Sequence, residues 1–139
     1  MRVFLDTNVF VNGIKHRESN SHQVLELAEQ GAITAFTSEF ALKEVSVVLR
    51  HLRGIRAAYI GVKYVQGICV IVPRRKISAS VKEFRGKIKD KDLENLATAK
   101  AMKIGYLISF DREYELFPEY LTPKQFVKHL GLAVSETEY

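Results

Sequence analysis

The amino-acid sequence predicts an α/β fold, a single three-layer domain in which helices flank a central, mostly parallel sheet of about four or five strands. Two observations predict it. Short apolar runs typical of buried strands alternate with segments whose apolar residues recur at helical spacing. Alternating strands and helices form βαβ units, and these units build a parallel sheet with both faces covered.

The length and the composition agree with one globular domain. The 139 residues are 47% apolar and 27% charged, which argues against a disordered, collagen-like or coiled-coil chain. No internal repeat, low-complexity segment or linker divides the sequence. We therefore expect one domain at residues 1–131, followed by a short, frayed tail at residues 132–139.

The strands are predicted from short apolar runs. The first run, residues 3–5, stops at Asp6 and resumes at residues 9–11, so both parts have the composition of a buried strand. The other predicted strands span residues 33–36, 69–72 and 106–110. Pro73 and Asp111 end the last two of these strands, because both residue types favour turns.

The helices are predicted from apolar residues at helical spacing. The predicted helices span residues 21–30, 38–52, 56–66, 80–85, 92–105 and 122–130. Gly31 follows the first of them as a typical C-terminal stop, and Ser38 is positioned to cap the second. Thr122-Pro123 combines an N-cap residue with a proline at the first helical position, which is a typical helix start.

The sequence shows no membrane-spanning or secretory feature. Its longest apolar run, residues 67–72, is far shorter than the roughly 18–20 residues of a membrane helix. Asp6 lies where a signal peptide would be apolar. We therefore expect a cytoplasmic protein with no membrane partner. The single cysteine, Cys69, excludes an internal disulfide and a cysteine-based metal site.

Positive charge is concentrated in the middle of the chain. Residues 50–103 contain 14 Lys or Arg and 4 acids, whereas the remainder contains 7 basic and 12 acidic residues. A basic region on an otherwise acidic chain suits a polyanion such as nucleic acid. A solvated, lysine-rich surface explains the charge alone equally well.

Four acids are placed where they could meet at one edge of the sheet. Asp6 and Asp111 follow the first and fourth predicted strands, and ligands bind beyond the carboxyl ends of parallel strands. Asp92 opens a helix that can reach the same edge, and Glu44 flanks the apolar stripe of its helix. Converging carboxylates repel one another, and Mg²⁺ or Mn²⁺ removes that conflict. Each acid alone also fits an ordinary role as a turn residue, a helix cap or a half-exposed side chain.

Five stretches of the sequence together resemble the PIN-domain family of nucleases, which includes the VapC-type toxins of toxin–antitoxin pairs. They are VFLDTNV at residues 3–9, ALKEV at 41–45, DLENLATA at 92–99, YLISFD at 106–111 and LTPKQF at 121–126. The acid-led helix and the strand after it are the most specific part. The resemblance covers residues 2–130 and implies the Rossmann-like α/β fold of this family.

The resemblance implies a nuclease that uses one or two Mg²⁺ or Mn²⁺ ions to activate a water for attack on a phosphodiester. The implied catalytic and metal-binding acids are Asp6, Glu44, Asp92 and Asp111, with Glu113 and Asp90 as auxiliary candidates. The family often has Asp where this chain has Glu113, and the helical register favours Asp92 over Asp90. The side chains implied to hold the carboxylates by hydrogen bonds are Thr7, Asn8 and Ser109.

The implied substrate is RNA, gripped by basic side chains. The candidate phosphate contacts are Lys89, Lys91, Arg85, Arg53, Arg74 and Arg75. Such contacts position a strand without reading its sequence. The candidates for stacking on bases are Tyr59, Tyr64, Phe84 and Tyr114.

Several functions remain open at this point. An active endoribonuclease is either the toxin of a VapBC-type pair, with a small acidic or disordered antitoxin as partner, or a housekeeping RNA-processing enzyme. The resemblance also implies a homodimer. The alternative is a catalytically inactive PIN-fold RNA-binding module, although all four expected acids are present. A HAD-like phosphohydrolase fits less well, because that chemistry needs an aspartate two residues after the nucleophile and position 8 is Asn8.

Overall fold

The computed structural model describes residues 1–136, and within them five strands form one parallel sheet flanked by seven α-helices. The strands are β1 (Arg2–Leu5), β2 (Thr34–Ser38), β3 (Cys69–Val72), β4 (Tyr106–Ile108) and β5 (Tyr120–Leu121). The helices are α1 (Thr7–Lys15), α2 (Asn20–Glu29), α3 (Glu39–Arg53), α4 (Ile55–Ile68), α5 (Ser78–Phe84), α6 (Asp90–Ala101) and α7 (Pro123–His129). The predicted α/β fold is confirmed.

Strand β1 lies at the centre of the sheet, whose strand order is β3-β2-β1-β4-β5. Phe4 pairs in register with Phe36 of β2 and with Leu107 of β4. Successive β1 side chains enter two different cores: Val3 and Leu5 pack on one face of the sheet, and Phe4 packs on the other. All three are fully buried, which explains why β1 is continuously apolar instead of alternating.

The apolar run at residues 9–11 was predicted to be strand-like, and this prediction is wrong. The run lies inside helix α1, which begins directly after Asp6. The Asp6 side chain accepts a hydrogen bond from the backbone N–H of Thr7 and caps the helix. Val9, Phe10 and Gly13 are buried at helical spacing, so this helix turns its apolar face into the core and packs against α2 and α3.

The second half of the chain contains a strand that the sequence did not reveal. Strand β5 has two residues and pairs with β4, with Tyr120 opposite Leu107. Its run is too short to show any periodicity. The predicted fourth strand continued to Phe110, whereas β4 ends at Ile108. The hydroxyl of the next residue, Ser109, donates to Asp6.

The C-terminal segment is held against the domain as far as the structure describes it. The Asn20 side chain donates to the Ser135 carbonyl at 2.9 Å and accepts from the Ser135 N–H at 2.8 Å. Val134 packs against the core, and Lys124 pairs with Glu136 at 2.7 Å. A frayed tail was predicted here, and that stays a prediction; residues 137–139 of the tail lie outside the described part. No helix among residues 1–136 is long and apolar enough to cross a membrane.

Candidate functional site

Four acids line one cleft at the carboxyl edge of the sheet. Asp6 follows β1, and Asp111 lies three residues beyond the end of β4, the parallel neighbour of β1. Glu44 extends from α3, and Asp92 lies in the first turn of α6. The cleft has a volume of about 490 Å³ and all four side chains line it. The topology therefore brings together residues that are up to 105 positions apart in the sequence.

The Asp6 side chain is buried, with 5% of its surface exposed, the same fraction as Asp92. Its Oδ2 accepts from the Ser109 hydroxyl at 2.6 Å, and its Oδ1 accepts from the Asn95 amide at 3.0 Å. Burial raises the pKa of Asp6 to about 6 and outweighs these bonds, and the charges of Glu44 and Asp92 add to the rise. Hydrogen bonds therefore fix the position of the carboxylate, whereas burial and the neighbouring negative charges disfavour its ionised form.

Three polar side chains join the acids to one another. The Thr7 hydroxyl donates to Glu44 Oε1 at 2.9 Å. Ser109 Oγ, which donates to Asp6, also accepts from the Asp111 backbone N–H at 2.9 Å. Asn8 Oδ1 accepts from the Phe110 N–H at 3.3 Å and holds the loop after β4 in place. The geometry thus places these three side chains directly between the acid-bearing segments.

The Asp92 carboxylate is buried with one oxygen unpaired. Its Oδ1 accepts from the Tyr114 hydroxyl at 3.3 Å, whereas its Oδ2 has no hydrogen-bond partner among the described residues. Burial raises the pKa of Asp92, and the neighbouring charge of Asp111 raises it further. A buried carboxylate oxygen without a donor is costly. A cation bound in the cleft would remove that cost.

The donor set fits a hard divalent cation. Carboxylate oxygens are the ligands that Mg²⁺ and Mn²⁺ prefer. Asp92, which has one oxygen without a hydrogen-bond partner among the described residues, is one of the side chains that line the cleft. Within residues 1–136, however, no three Asp, Glu, His or Cys side chains already converge as a finished metal cluster. Asp6 and Glu44 instead accept hydrogen bonds from neighbouring side chains. Metal binding would thus require the carboxylates of these side chains to move closer to one another.

The auxiliary acids lie outside the cleft wall. Asp90 is exposed at the start of α6 and lines a separate groove with Arg74 and Arg85. The Glu113 carboxylate forms an ion pair with Lys89 at 2.8 Å. Between the two aspartates at the start of α6, the structure therefore places Asp92 in the cleft and Asp90 outside it.

The six predicted phosphate contacts are spread over several surfaces. Lys91 lines the cleft, with its Nζ 3.9 Å from Asp111 Oδ2. Arg74 pairs with Glu94 at 2.9 Å, and Arg53 lines an apolar groove between helices. Arg75 is exposed in the 3₁₀ turn Arg74–Lys76. Of the predicted set, Lys91 is the residue that the structure brings to the acids.

Two residues at the site, Lys15 and Asn95, were not predicted from the sequence, and Tyr114 was predicted in a different role. Lys15 lines the cleft at the end of α1; recognising α1 as a helix would have put Asn8 and Lys15 on one face, seven residues apart. Asn95 and Tyr114 are buried behind the acids. Nothing in the sequence distinguishes Asn95 from the other polar residues of α6, such as Glu94 and Thr98. The suggestion that Tyr114 stacks on bases is wrong, because its side chain is fully buried.

Comparison with known proteins gives one family match. Residues 2–113 match the family model of the PIN domain. No curated protein matches the sequence significantly.

Solved structures supply the likeness in fold. VapBC2 from Rickettsia felis bound to a DNA fragment from its promoter matches with a TM-score of 0.69 at 19% identity, over 88% of this chain and 97% of that one. A toxin–antitoxin complex from Klebsiella pneumoniae matches with a TM-score of 0.68 at 21% identity, over 87% of this chain and 97% of that one. Mycobacterium tuberculosis VapC20, a sarcin–ricin loop cleaving toxin, matches with a TM-score of 0.59 at 18% identity, over 82% of this chain and 93% of that one.

Proposed function

This chain belongs to the PIN-domain family, and we propose that it is a divalent-metal-dependent endoribonuclease that hydrolyses phosphodiester bonds in RNA. One observation carries the proposal. Four carboxylates line a single cleft at the carboxyl edge of the sheet, and one buried Asp92 oxygen has no partner among the described residues. Neighbouring acids in the cleft raise the pKa values of the buried Asp6 and Asp92, and such a cluster has no structural benefit without a cation.

The metal-binding residues in this proposal are Asp6, Glu44, Asp92 and Asp111. One or two bound Mg²⁺ or Mn²⁺ ions would supply an activated water and neutralise charge on the phosphate. Ser109 and Thr7 hold the carboxylates of Asp6 and Glu44 by donating to them. Ionised acids are needed for this role, so the donors also favour the charged form.

The RNA backbone is held by the lysines at the cleft. Lys91 and Lys15 both line it, on α6 and at the end of α1. A phosphate placed between the two lysines would be attracted both by their ammonium groups and by the metal ion that the acids would bind. Lys89 forms an exposed ion pair with Glu113. Such a surface pair is weak, so Lys89 becomes available to RNA when the pair opens.

We further propose that the protein is the toxin of a toxin–antitoxin pair acting in the cytoplasm. The support is the likeness in fold to proteins described as toxins or as toxin–antitoxin complexes. The partner would be a small antitoxin that covers the acidic cleft. A homodimer is part of the proposal, since α4 exposes large apolar side chains, with Ile55 70% and Tyr59 64% exposed.

The test is RNA cleavage by purified protein, with Mg²⁺, Mn²⁺ or EDTA, on single-stranded and structured RNAs. Wild type is expected to cut only with metal. Asp6→Asn and Asp92→Asn should each lose at least about 100-fold, because metal-held charge stabilises the transition state by several kcal/mol. Glu83→Gln is the matched control, an exposed acid on α5 away from the cleft, and should cut like wild type.

Two other outcomes would change the conclusion. Cleavage that survives both aspartate substitutions would come from another site or a contaminant, and the assignment of the acids would fail. RNA binding without cleavage in any metal would favour the alternative function, an inactive RNA-binding module. The basic middle of the chain is compatible with that alternative, whereas the four acids in one cleft are not needed for it.

A further inference from the structure

A single buried amide, that of Asn95, contacts every segment that carries an acid of the cleft. Asn95 has 1% of its surface exposed and lies one helical turn after Asp92 on α6. Its Nδ2 donates to Asp6 Oδ1 at 3.0 Å, and its Oδ1 accepts from the Ser38 hydroxyl at 2.6 Å. Its Nδ2 also donates to the Tyr114 hydroxyl oxygen at 3.3 Å.

Each of these partners leads to a different acid. Ser38 caps α3, the helix of Glu44, by accepting from the Ala41 N–H at 2.9 Å. Tyr114 follows Asp111 in the 3₁₀ turn Arg112–Leu116 and donates to Asp92 Oδ1 at 3.3 Å. The amide is therefore the junction of the segments that hold all four acids.

The chemistry of the junction requires an amide. Ser38 Oγ accepts from a backbone N–H and must donate its own hydrogen, so it needs an acceptor. The Asp6 carboxylate accepts only and needs a donor. Asparagine offers both. An apolar side chain would leave the buried Ser38 hydroxyl without an acceptor and would remove one of the two donors to Asp6 Oδ1, which keeps the Thr7 N–H. An aspartate would face Asp6 with a like charge.

We infer that Asn95 is a positioning residue. It fixes the positions of the Asp6 and Asp92 carboxylates relative to the helix that carries Glu44, so that the three acids bind one divalent cation together. This inference rests on the proposed metal-dependent function. Asn95 does not line the cleft and acts through the acids. Its removal lowers metal affinity by about 10–100-fold, the usual cost of losing a hydrogen bond that orients a metal ligand.

The test measures Mn²⁺ binding to the free protein by electron paramagnetic resonance titration, without RNA. Asn95→Ala is expected to weaken binding by about 10–100-fold. Tyr114→Phe removes the hydroxyl that donates to Asp92 and accepts from Asn95, but it keeps the ring in the core and the bond from Asn95 to Asp6. It should therefore weaken binding less. Thr98→Ala is the matched control: it truncates another buried polar side chain of α6, which donates only to the Glu94 carbonyl of its own helix.

Circular dichroism and RNA binding in EDTA separate positioning from folding. A positioning role predicts that folded Asn95→Ala still binds RNA like wild type while its Mn²⁺ affinity falls. Unchanged Mn²⁺ affinity in folded Asn95→Ala overturns the inference. If Asn95→Ala does not fold, Tyr114→Phe decides: wild-type Mn²⁺ affinity in that variant overturns the inference as well.

The same titration separates this inference from the proposed function. Weakened Mn²⁺ binding in the variants, together with no RNA cleavage by wild type, would support the positioning role and overturn the nuclease. No Mn²⁺ binding by wild type would overturn both.

Discussion

At the scale of single residues, the charge state of Asp6 is decided by a contest between burial and hydrogen bonding. Its carboxylate accepts from the Ser109 hydroxyl, the Thr7 N–H and the Asn95 amide, and such bonds favour the ionised form. Desolvation is nonetheless the larger effect, because the pKa rises to about 6 from an ordinary 3.8. Without a cation, the ionised side chain therefore costs the folded protein about 3 kcal/mol at neutral pH.

This cost predicts an unusual dependence of stability on pH. A carboxyl whose folded pKa is raised binds protons more tightly when folded, so the metal-free protein gains stability as pH falls from about 7 to about 4. Between pH 7 and pH 5, wild type should gain about 1.4 kcal/mol relative to Asp6→Asn. The measurement is urea unfolding of both proteins in EDTA at the two pH values. Parallel changes in the two unfolding free energies would contradict the raised pKa.

At the scale of elements, helix α1 shows where sequence patterns stop being decisive. The run Val9-Phe10-Val11 fits a buried strand as well as a buried helix, because three apolar residues are too few to show a period. The Asp6 cap and the packing against α2 select the helix. At Gly13 an added methyl group would lie 2.6 Å from Leu25 Cδ1 and 3.0 Å from the Ser21 backbone carbon.

That close approach predicts opposite effects for two glycine-to-alanine changes in helices. Gly13→Ala should destabilise the protein by about 1–3 kcal/mol, because the clash with the α2 backbone exceeds the gain in helix propensity. Gly67→Ala, in α4 with no atom within 4 Å of its added methyl group, should stabilise by about 0.5–1 kcal/mol. Thermal unfolding of both variants measures the difference. A stabilising Gly13→Ala would mean that α1 and α2 do not pack this closely.

Some strands could be predicted from the sequence and others could not. Strand β3 was predicted with its exact bounds, since Pro73 marks its end and its residues are continuously apolar. Strand β5 was not predicted, because its two residues are ordered by pairing with β4 rather than by their own preference. Local patterns thus predict elements that they stabilise themselves, and fail for those that tertiary contacts create.

At the scale of the whole molecule, the same limit applies to the site. The placement of Asp6 and Asp111 at one edge follows from parallel topology, which alternation of strands and helices predicts. The contacts of Asp6 with Asn95 and Ser109 join residues 89 and 103 positions apart. No local spacing indicates these contacts, so the acids could be predicted whereas the amide that joins their segments could not.

The distribution of positive charge over the molecule predicts where RNA is held. The net charge is +5, yet Lys15 and Lys91 are the basic residues that line the acidic cleft within the described chain. If RNA is held there, RNA affinity in EDTA depends on these two lysines rather than on the total charge. For two phosphate contacts, the affinity for single-stranded RNA should fall about 7-fold between 50 and 200 mM salt.

A pair of double variants with equal net charge tests this distribution. Lys15→Gln/Lys91→Gln should bind RNA more weakly and reduce the slope of log affinity against log salt by about 1.4, because two phosphate contacts are lost. Lys63→Gln/Lys128→Gln removes two positive charges that do not line the cleft and should keep nearly the wild-type slope. Fluorescence anisotropy with labelled RNA in EDTA measures both slopes. Equal losses in the two variants would mean that overall charge binds RNA, because the cleft would then contribute no more than any other basic surface.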